Sequence, residues 1–498
     1  MIYSNIKIES TSKNIISKKN STLIEFIFDS KNLLKETNEL ISRNNLKIGQ
    51  LDLRNFEDKK CEELELKNTS AAPDIVIIKK LDSQKNSSDT FRNYLAGLIP
   101  RMHKMKIENL QINLPLHTSV EKIFPSNEKY FQSVIEGILL GNYSFDKYKT
   151  EKNKKIVLSV NINTGENIKI KSVIEQTRSL IESVYFARDL VNEPANSLTP
   201  VELINRSKKE LTKFGIKVTS YNKVQLKKEK MGAILSVGSA SDNQPFLLVL
   251  RYVPKQKAKM KIALVGKGVT YDSGGLSLKP TSGMLEMKAD MAGAATVIGT
   301  ILAAAKNKLP VELIGVIPAV ENMVSGGSYK PGDIITSYSG KTIEVKDTDA
   351  EGRIVLADAL HYASKLKPDQ IIDFATLTGA VVVALGEFTA GLFTKDDEIA
   401  ESILSSGKFV NEPIWRMPFS DDYKKLIESE IADISNLGPR WGGAITAGKF
   451  LEFFVDEKIP YAHIDLAGPA LKHKFTNYTE KYETGYGVRL MYDYLNNL

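Results

Sequence analysis

The sequence is short of the residues from which several kinds of site are built. It has one cysteine, Cys61, in 498 residues. One thiol closes no internal disulfide and builds no cysteine-type zinc site, so a reducing, intracellular setting is expected. Cys61 sits among Glu57, Asp58, Glu62 and Glu63, whose carboxylates disfavour a thiolate and argue against a nucleophile. The five histidines are His103, His117, His361, His463 and His473, and no two are four residues apart. A His-Glu-x-x-His zinc helix is therefore excluded, and any metal site must rest on carboxylates. Long apolar runs are missing too. The uncharged stretches Met291–Ala305 and Phe374–Gly386 fall short of the roughly 18–20 apolar residues of a membrane span, and both contain Gly and Thr. Met1–Lys7 has no apolar core of a secretory signal. A cytoplasmic protein without membrane attachment is expected. An excess of one charge is also lacking: 67 Lys and Arg against 60 Asp and Glu leave +7, which permits nucleic-acid contact without arguing for it.

What is present is ordinary globular composition, 42% hydrophobic and 26% charged. That excludes disordered, collagen-like and coiled-coil chains. The length exceeds one ordinary core, so two or more domains are expected. Residues 1–150 alternate strand-like runs (Leu23–Phe28, Ile75–Ile78) with helix-like ones (Asp89–Leu98, Tyr130–Leu140), which reads as a small N-terminal α/β domain. A charged, turn-like segment follows at Asp146–Lys155. Ile174, Ile181, Val184 and Ala187 recur at helical spacing, so Ser172–Val191 is a long amphipathic helix, stopped by Asn192-Glu193-Pro194. Residues 151–191 are assigned to a linker containing this helix, and 192–498 to the catalytic domain. There, near-continuous apolar runs at Phe246–Tyr252, Ile262–Val265, Val311–Val316 and Ile371–Phe374 suggest strands covered on both faces. Helical stretches fall at Gly283–Lys306, Gly352–Leu366, Asp421–Ile434 and Ile445–Phe454. The expected fold is α/β, with a mixed, largely parallel central sheet flanked by helices in the larger domain.

Two familiar motifs fail on inspection. Ser339-Gly340-Lys341-Thr342 resembles the end of a phosphate-binding loop, but the required upstream glycine is Ile335, so a turn between strands is expected. No Gly-x-Ser-x-Gly elbow of a serine hydrolase occurs. The informative stretch begins at Val265, where a strand runs into a glycine-punctuated loop bearing Lys267, Asp272, Gly274, Gly275 and Lys279, with Asp290 on the helix that follows. Ligands in α/β folds sit where strands end, because the loops converge there. A second stretch, Asp347-Thr348-Asp349-Ala350-Glu351-Gly352-Arg353, follows a strand at Thr342–Val345. In an extended loop, Asp349, Glu351 and Arg353 would share one face, because extended side chains repeat every second residue. Asp272, Asp290, Asp349 and Glu351 in one crevice would repel one another unless cations neutralised them. Two divalent metals ~3.5–4 Å apart would do so while clamping water and a substrate carbonyl. A dimetal hydrolase follows; which bond it cuts stays open on spacing alone.

These segments resemble the leucyl (cytosolic) aminopeptidases, called aminopeptidase A in bacteria. The family signature Asn-Thr-Asp-Ala-Glu-Gly-Arg-Leu reads here as Asp347 through Ile354. Further matches are Asn192–Asn196, Thr376–Ala380, Gly443–Ala447 and His463–Gly468, and the resemblance is dense over about 190–498. The resemblance implies Lys267, Asp272, Asp290 and Glu351 as ligands of a tightly held metal, and Asp272, Asp349 and Glu351 as ligands of an exchangeable one. The ions would be Mn²⁺ or Zn²⁺, with Mg²⁺ or Co²⁺ as alternatives. Lys279 is implied to polarise the scissile carbonyl and stabilise the tetrahedral gem-diolate, and Arg353 to hold a bicarbonate acting as general base. Asp290 would receive the free amine, so that cleavage stops at the N-terminal residue. Met287, Thr376, Gly379 and Ala467 would form an apolar pocket for the first side chain, suited to Leu or Met, and Ala470 would leave it roomy. The resemblance also implies peptide substrates with a free N-terminus and a homohexamer, and DNA binding, known for bacterial relatives, is the alternative role. One departure stands out: Asp347 replaces the usual Asn and adds a negative charge beside the metals. His463 is expected to be structural, and Trp415 and Trp441 to serve packing.

Overall fold

A computed structural model of the chain describes residues 5–11, 20–28, 33–44, 46–58, 61–68, 72–81, 87–151, 156–165, 168, 170–471, 476–479 and 483–498. His473 and residues 152–155 of the charged segment lie outside the described residues. The chain divides into two compact units, residues 1–181 and 182–498. The division falls inside the helix Lys171–Asn192.

The first unit is built on six strands: β1 (Ile6–Thr11), β2 (Ser21–Phe28), β3 (Glu63–Lys67), β4 (Ile75–Leu81), β5 (Asn109–Asn113) and β6 (Leu158–Asn163). They lie in the order β1-β6-β5-β2-β4-β3. All neighbours are parallel except β3 with β4. Ile75–Ile78 is buried along its whole length, as a run without polar alternation requires. The helices Thr90–Lys104 and Asn127–Leu140 pack together, and their interior holds a buried charge. Arg92 is fully buried, and its guanidinium donates to Glu136 at 2.7 Å and Asp89 at 2.5 Å, without which burying it would cost several kcal/mol.

The second unit continues the count with β7 (Lys217–Tyr221), β8 (Phe246–Tyr252), β9 (Lys261–Gly266), β10 (Gly268–Asp272), β11 (Glu312–Asn322), β12 (Ile334–Thr336), β13 (Thr342–Glu344), β14 (Gln370–Ala375), β15 (Ala390–Thr394), β16 (Ile414–Arg416), β17 (Ile434–Ser435) and β18 (Tyr461–Asp465). Its main sheet has the order β16-β15-β18-β14-β9-β11-β8-β7, with β10 paired to β11. The pairs β9–β11, β9–β14, β14–β18, β10–β11 and β15–β16 are parallel; β7–β8, β8–β11 and β15–β18 are antiparallel. The expected mixed, largely parallel sheet is therefore present. Ala263, Val265, Ile314 and Ile371 share a core with Ile354–Leu360 of the helix Glu351–Lys365. The alternate residues Ile262, Leu264 and Ile372 point to the opposite face and are also buried, and the helix Ala292–Lys306 packs on the same strands. That helix, almost all Ala, Gly, Thr, Val and Ile, comes very close to the sheet: a Cβ on Gly293 would lie 2.0 Å from the carbonyl oxygen of Phe374 in β14.

The smaller sheet β12-β13-β17 closes around Ser339–Thr342, which is the expected turn between strands, with Gly340 at φ +85°. Two helix expectations need correction. Over Gly283–Lys306 the long helix starts only at Ala292, after a short helical turn at Thr281–Met284 and a 3-10 turn at Met287–Ala289. Asp290 therefore stands before the helix, its carboxylate drawn to Lys267 and Thr376. Over Asp421–Ile434 a 3-10 helix ends at Ile427 and β17 begins at Ile434. The Ser429 hydroxyl accepts from the Ile431 and Ala432 amides, and Asp433 accepts from Thr342; such side-chain bonds compete with helix. The tryptophans are not packing residues either: Trp415 on the edge strand β16 is 63% exposed and Trp441 77%. Among the described residues, no helix is long and apolar enough to cross a membrane.

The contact at Gly293 gives a stability test. Gly293→Ala should destabilise by roughly 1–3 kcal/mol through overpacking against β14. Gly326→Ala, where a Cβ meets nothing within 4 Å, should stay within about 0.5 kcal/mol of the parent. Chemical denaturation midpoints compare the two.

Candidate active site

The chemistry gathers at the C-terminal ends of the central strands. Lys267 directly follows β9, and its amide donates to Phe374 at 2.9 Å; Asp272 ends β10; Thr376 follows β14; Asp465 ends β18. Glu351 opens the helix Glu351–Lys365, where a carboxylate is favoured by the unpaired amides and the helix dipole. This corrects the sequence expectation: Asp349 is in a loop while Glu351 and Arg353 are helical, so no period-two face unites them.

The two loops that carry the carboxylates are joined by buried hydrogen bonds. The Thr348 hydroxyl donates to Gly274 O at 2.7 Å and accepts from Ser277 N at 2.8 Å. Asn322, fully buried at the end of β11, donates from Nδ2 to Asp272 Oδ1 at 2.8 Å and to Thr348 O at 3.0 Å. The Tyr329 hydroxyl donates to the same Thr348 carbonyl at 2.8 Å. Gly274 and Gly275 adopt positive φ, and a Cβ on Gly274 would lie 2.4 Å from Ser277 O and 2.9 Å from Asp349 Oδ1. These glycines thus let one loop approach the other.

One oxygen each of Asp272, Asp290 and Glu351 lies within 4.8 Å of the others, and all three residues are buried. Asp349 stands outside that group. Two lysines thread the acids. Lys267 Nζ lies 2.8 Å from Asp290 Oδ1 and 2.9 Å from Glu351 Oε1; Lys279 Nζ lies 2.9 Å from Asp272 Oδ2 and also pairs with Asp349. Two ammonium groups do not balance four carboxylates. Burial pushes the Glu351 and Asp290 carboxyls up from their ordinary values; Asp272 adds to the rise and Lys267 opposes it. Burial alone would lower both lysines, but the surrounding carboxylates outweigh it and raise them. Asp290 Oδ2 and Glu351 Oε2 are buried with no hydrogen-bond partner. Orphaned carboxylate oxygens at such a position suit a divalent cation, which takes hard oxygen ligands and brings the missing charge.

The cluster opens into a cavity of about 690 Å³. Lys267, Asp272, Lys279, Asp290, Asp349 and Arg353 line it, together with Met287, Thr376, Gly379 and Ala467. Glu351 lies behind the lining, against Lys267. Ala470 is buried outside the lining, and its neighbour Leu471 takes part instead. Arg353 donates from Nη1 to Asn436 O at 2.8 Å, while its Nε is buried without a partner. Burial lowers its pKa to about 10, opposed by Glu351, Asp465 and Asp347. His463 is fully buried, its Nδ1 2.8 Å from Asp373 Oδ1, and it is not in the lining. Sequence reasoning did not single out Asn322, Thr348, Tyr329 or Asp465. Asp465 accepts from Leu377 N, Thr378 Oγ1 and Ala467 N, and so braces the segment carrying Thr376 and Gly379. The available signal was position: Asn322 and Asp465 each end a strand whose neighbours end in site residues.

A buried carboxylate–lysine cluster opens into a cavity at the carboxyl edge of the sheet, an arrangement suited to divalent cations. The sequence profile of the cytosol aminopeptidase family, catalytic domain, matches residues 185–492. The chain is 43% identical over 450 residues to a probable cytosol aminopeptidase of Aquifex aeolicus, covering 89% of each. It is 42% identical over 431 residues to one of Clostridium perfringens, covering 85% of this chain and 86% of that one. Among solved structures, a mutant of tomato leucine aminopeptidase is similar with a TM-score of 0.86 and 32% identity, over 99% of this chain and 97% of that one. The bottromycin maturation enzyme BotP in complex with Mn is similar with a TM-score of 0.82 and 29% identity, over 96% of this chain and 99% of that one. The chain belongs to the cytosol aminopeptidase family. It is an aminopeptidase, a hydrolase that acts at peptide N-termini.

Because Asn322 links the Asp272 and Asp349 loops, Asn322→Ala should leave Asp272 Oδ1 and the Thr348 carbonyl each one donor short. The expected cost is about 1–3 kcal/mol in stability, with a fall in aminopeptidase kcat larger than that of a distant variant of equal stability. Denaturation and kinetics on the same preparations check this.

Proposed function

We propose that the protein is a two-cation aminopeptidase that releases an N-terminal Leu or another apolar residue from peptides. The observation that carries this is the buried, under-neutralised carboxylate group with its orphaned oxygens Asp290 Oδ2 and Glu351 Oε2. Lys267, Asp272, Asp290 and Glu351 would hold one cation, and Asp272, Asp349 and Glu351 the other. When bound, divalent cations supply Lewis-acid polarisation of the carbonyl and a water acidic enough to attack at neutral pH. Lys267 can join such a set only as the neutral amine, so the incoming positive charge must displace its proton. Mn²⁺ and Zn²⁺ are the leading candidates for an oxygen-rich set, with Mg²⁺ and Co²⁺ following.

The remaining steps belong to the chain's own side chains. Asp290, held by Lys267 and Thr376, accepts a hydrogen bond from the substrate's free amine and sets the cleavage point one residue in. Lys279 on its loop donates to the oxyanion that forms on the scissile carbonyl. Arg353, which lines the cavity and has a buried Nε without a hydrogen-bond partner, suits a small planar anion such as bicarbonate, which would serve as general base. Met287, Thr376, Gly379 and Ala467 take the first side chain. The family relationship supports a homohexamer working in the cytoplasm.

Leu-p-nitroanilide and its N-acetyl derivative test the reading. Purified protein should cleave only the free-amine substrate, lose activity with a chelator, and regain it with Mn²⁺ or Zn²⁺. Lys279→Ala should lower kcat by about 10²–10³-fold. Equal cleavage of the acetylated substrate would sink the exopeptidase assignment, and chelator-resistant activity the role of the cations.

A further inference from the structure

Asp347 is the one feature of the signature that the function above does not use. Asp347 lines the cavity, half-buried, yet it is not among the three clustered acids. Oδ1 accepts the Asp349 amide at 2.8 Å, a bond that an Asn side-chain oxygen would make equally well. The charge is therefore surplus to the local turn, and Oδ2 makes no hydrogen bond or ion pair among the described residues.

Its place in the cavity says what the charge faces. The polar contacts form a connected set. Asp290 binds Lys267, which reaches Glu351; Lys279 spans Asp272 and Asp349; Asp347 follows next to Asp349. Thr376, bonded to Asp290, lies at the first end with Met287 and Ala467. At the other end Asn436 donates from Nδ2 to Asp347 O at 2.6 Å, which ties Asp347 to the wall Leu437–Arg440. With the amine at Asp290 and the scissile carbonyl at Lys279, which pairs with Asp349, the residue after the cleaved bond would come next to the Asp347–Asp349 turn. Two cations lie at this end: Arg353, which donates to Asn436 O at 2.8 Å and feels the Asp347 charge, and Arg440, which is exposed with its guanidinium 5.2 Å from the Trp441 ring.

We infer that Asp347 is a specificity-determining residue that selects peptides with a basic side chain, Lys or Arg, immediately after the cleaved bond. The inference rests on the aminopeptidase reading above. A carboxylate at the cavity wall attracts a substrate ammonium and repels a carboxylate, and each half of that difference is worth a few-fold in affinity.

The test compares Leu-Lys-amide, Leu-Leu-amide and Leu-Glu-amide with the full-length, Mn²⁺-loaded protein and its Asp347→Asn and Asp347→Lys variants. The Lys-to-Glu ratio of kcat/KM should be about tenfold or more in the parent, reside in KM, and shrink with added salt. It should fall to within about twofold in Asp347→Asn and invert in Asp347→Lys. Because each ratio is internal to one preparation, partial loss of folded protein does not move it. Metal content per chain, measured by mass spectrometry, should match between the parent and Asp347→Asn. A parent that prefers Glu, as Arg440 would dictate, or a ratio unmoved by Asp347→Asn, overturns the inference. So does loss of a metal equivalent in Asp347→Asn, which would make the carboxylate a ligand. Cleavage of none of the three substrates by the parent would overturn both this inference and the aminopeptidase reading beneath it, whereas cleavage without charge preference overturns this inference alone.

Discussion

Four carboxylates crowded at one edge of a sheet are the constraint on which the rest of this catalytic unit depends. Three of them are buried and within 4.8 Å of one another, where like charges repel strongly and water cannot screen them. Two lysines interleave with the acids and still leave a negative excess, with oxygens facing no donor. Such a cluster disperses unless the backbone around it is rigid. The rigidity comes from hydrogen bonds: the uncharged Asn322, Thr348, Tyr329 and Ser277 join the loops, and the Asp465 carboxylate braces the segment carrying Thr376 and Gly379. The protein thus carries the instability of its site on a scaffold of buried polar contacts.

Close approach of main chain is the second requirement, and glycine meets it. A Cβ on Gly352 would stand 2.4 Å from Cε of Lys267, so a side chain at this position would push the lysine from its place against the helix bearing Glu351. The same holds at Gly274 for the Asp272 and Asp349 loops, and Gly293 seats a helix against β14 beside Lys267. At Gly274, Gly275, Gly293 and Gly352 protein meets protein. The cavity exists because these segments are drawn together on one side and left apart on the other.

Much of this architecture is legible in the amino-acid sequence. Apolar runs such as Phe246–Tyr252 and Ile371–Phe374 are local signals of buried strands, and the sheet follows them closely. The long helix at Lys171–Asn192 announces itself by its repeat. Local patterns mislead where side chains bond back to the main chain or to distant partners. Asp290 leaves the helical pattern because Lys267 and Thr376 hold it, and the segment after Ile427 breaks because Ser429 and Asp433 bond elsewhere. The partners of Asp290 and Asp433 lie 23 to 91 residues away, outside any local window, whereas the Ser429 bonds to Ile431 and Ala432 are local but form only in the turn the loop adopts.

By itself, then, the sequence determined the chemical inventory: acids and lysines in two short segments at strand ends, one cysteine, and no histidine motif for zinc. Residue identity and local periodicity carry that much, because propensity and burial pattern act over a few residues. Only the tertiary structure decided which acids meet. It put Asp272, Asp290 and Glu351 together, left Asp349 joined to them through Lys279, and placed Asp347 in the cavity lining. Charges separated by tens of residues interact only once parallel strands and their crossovers bring their ends to one edge, and that distance is a property of the fold.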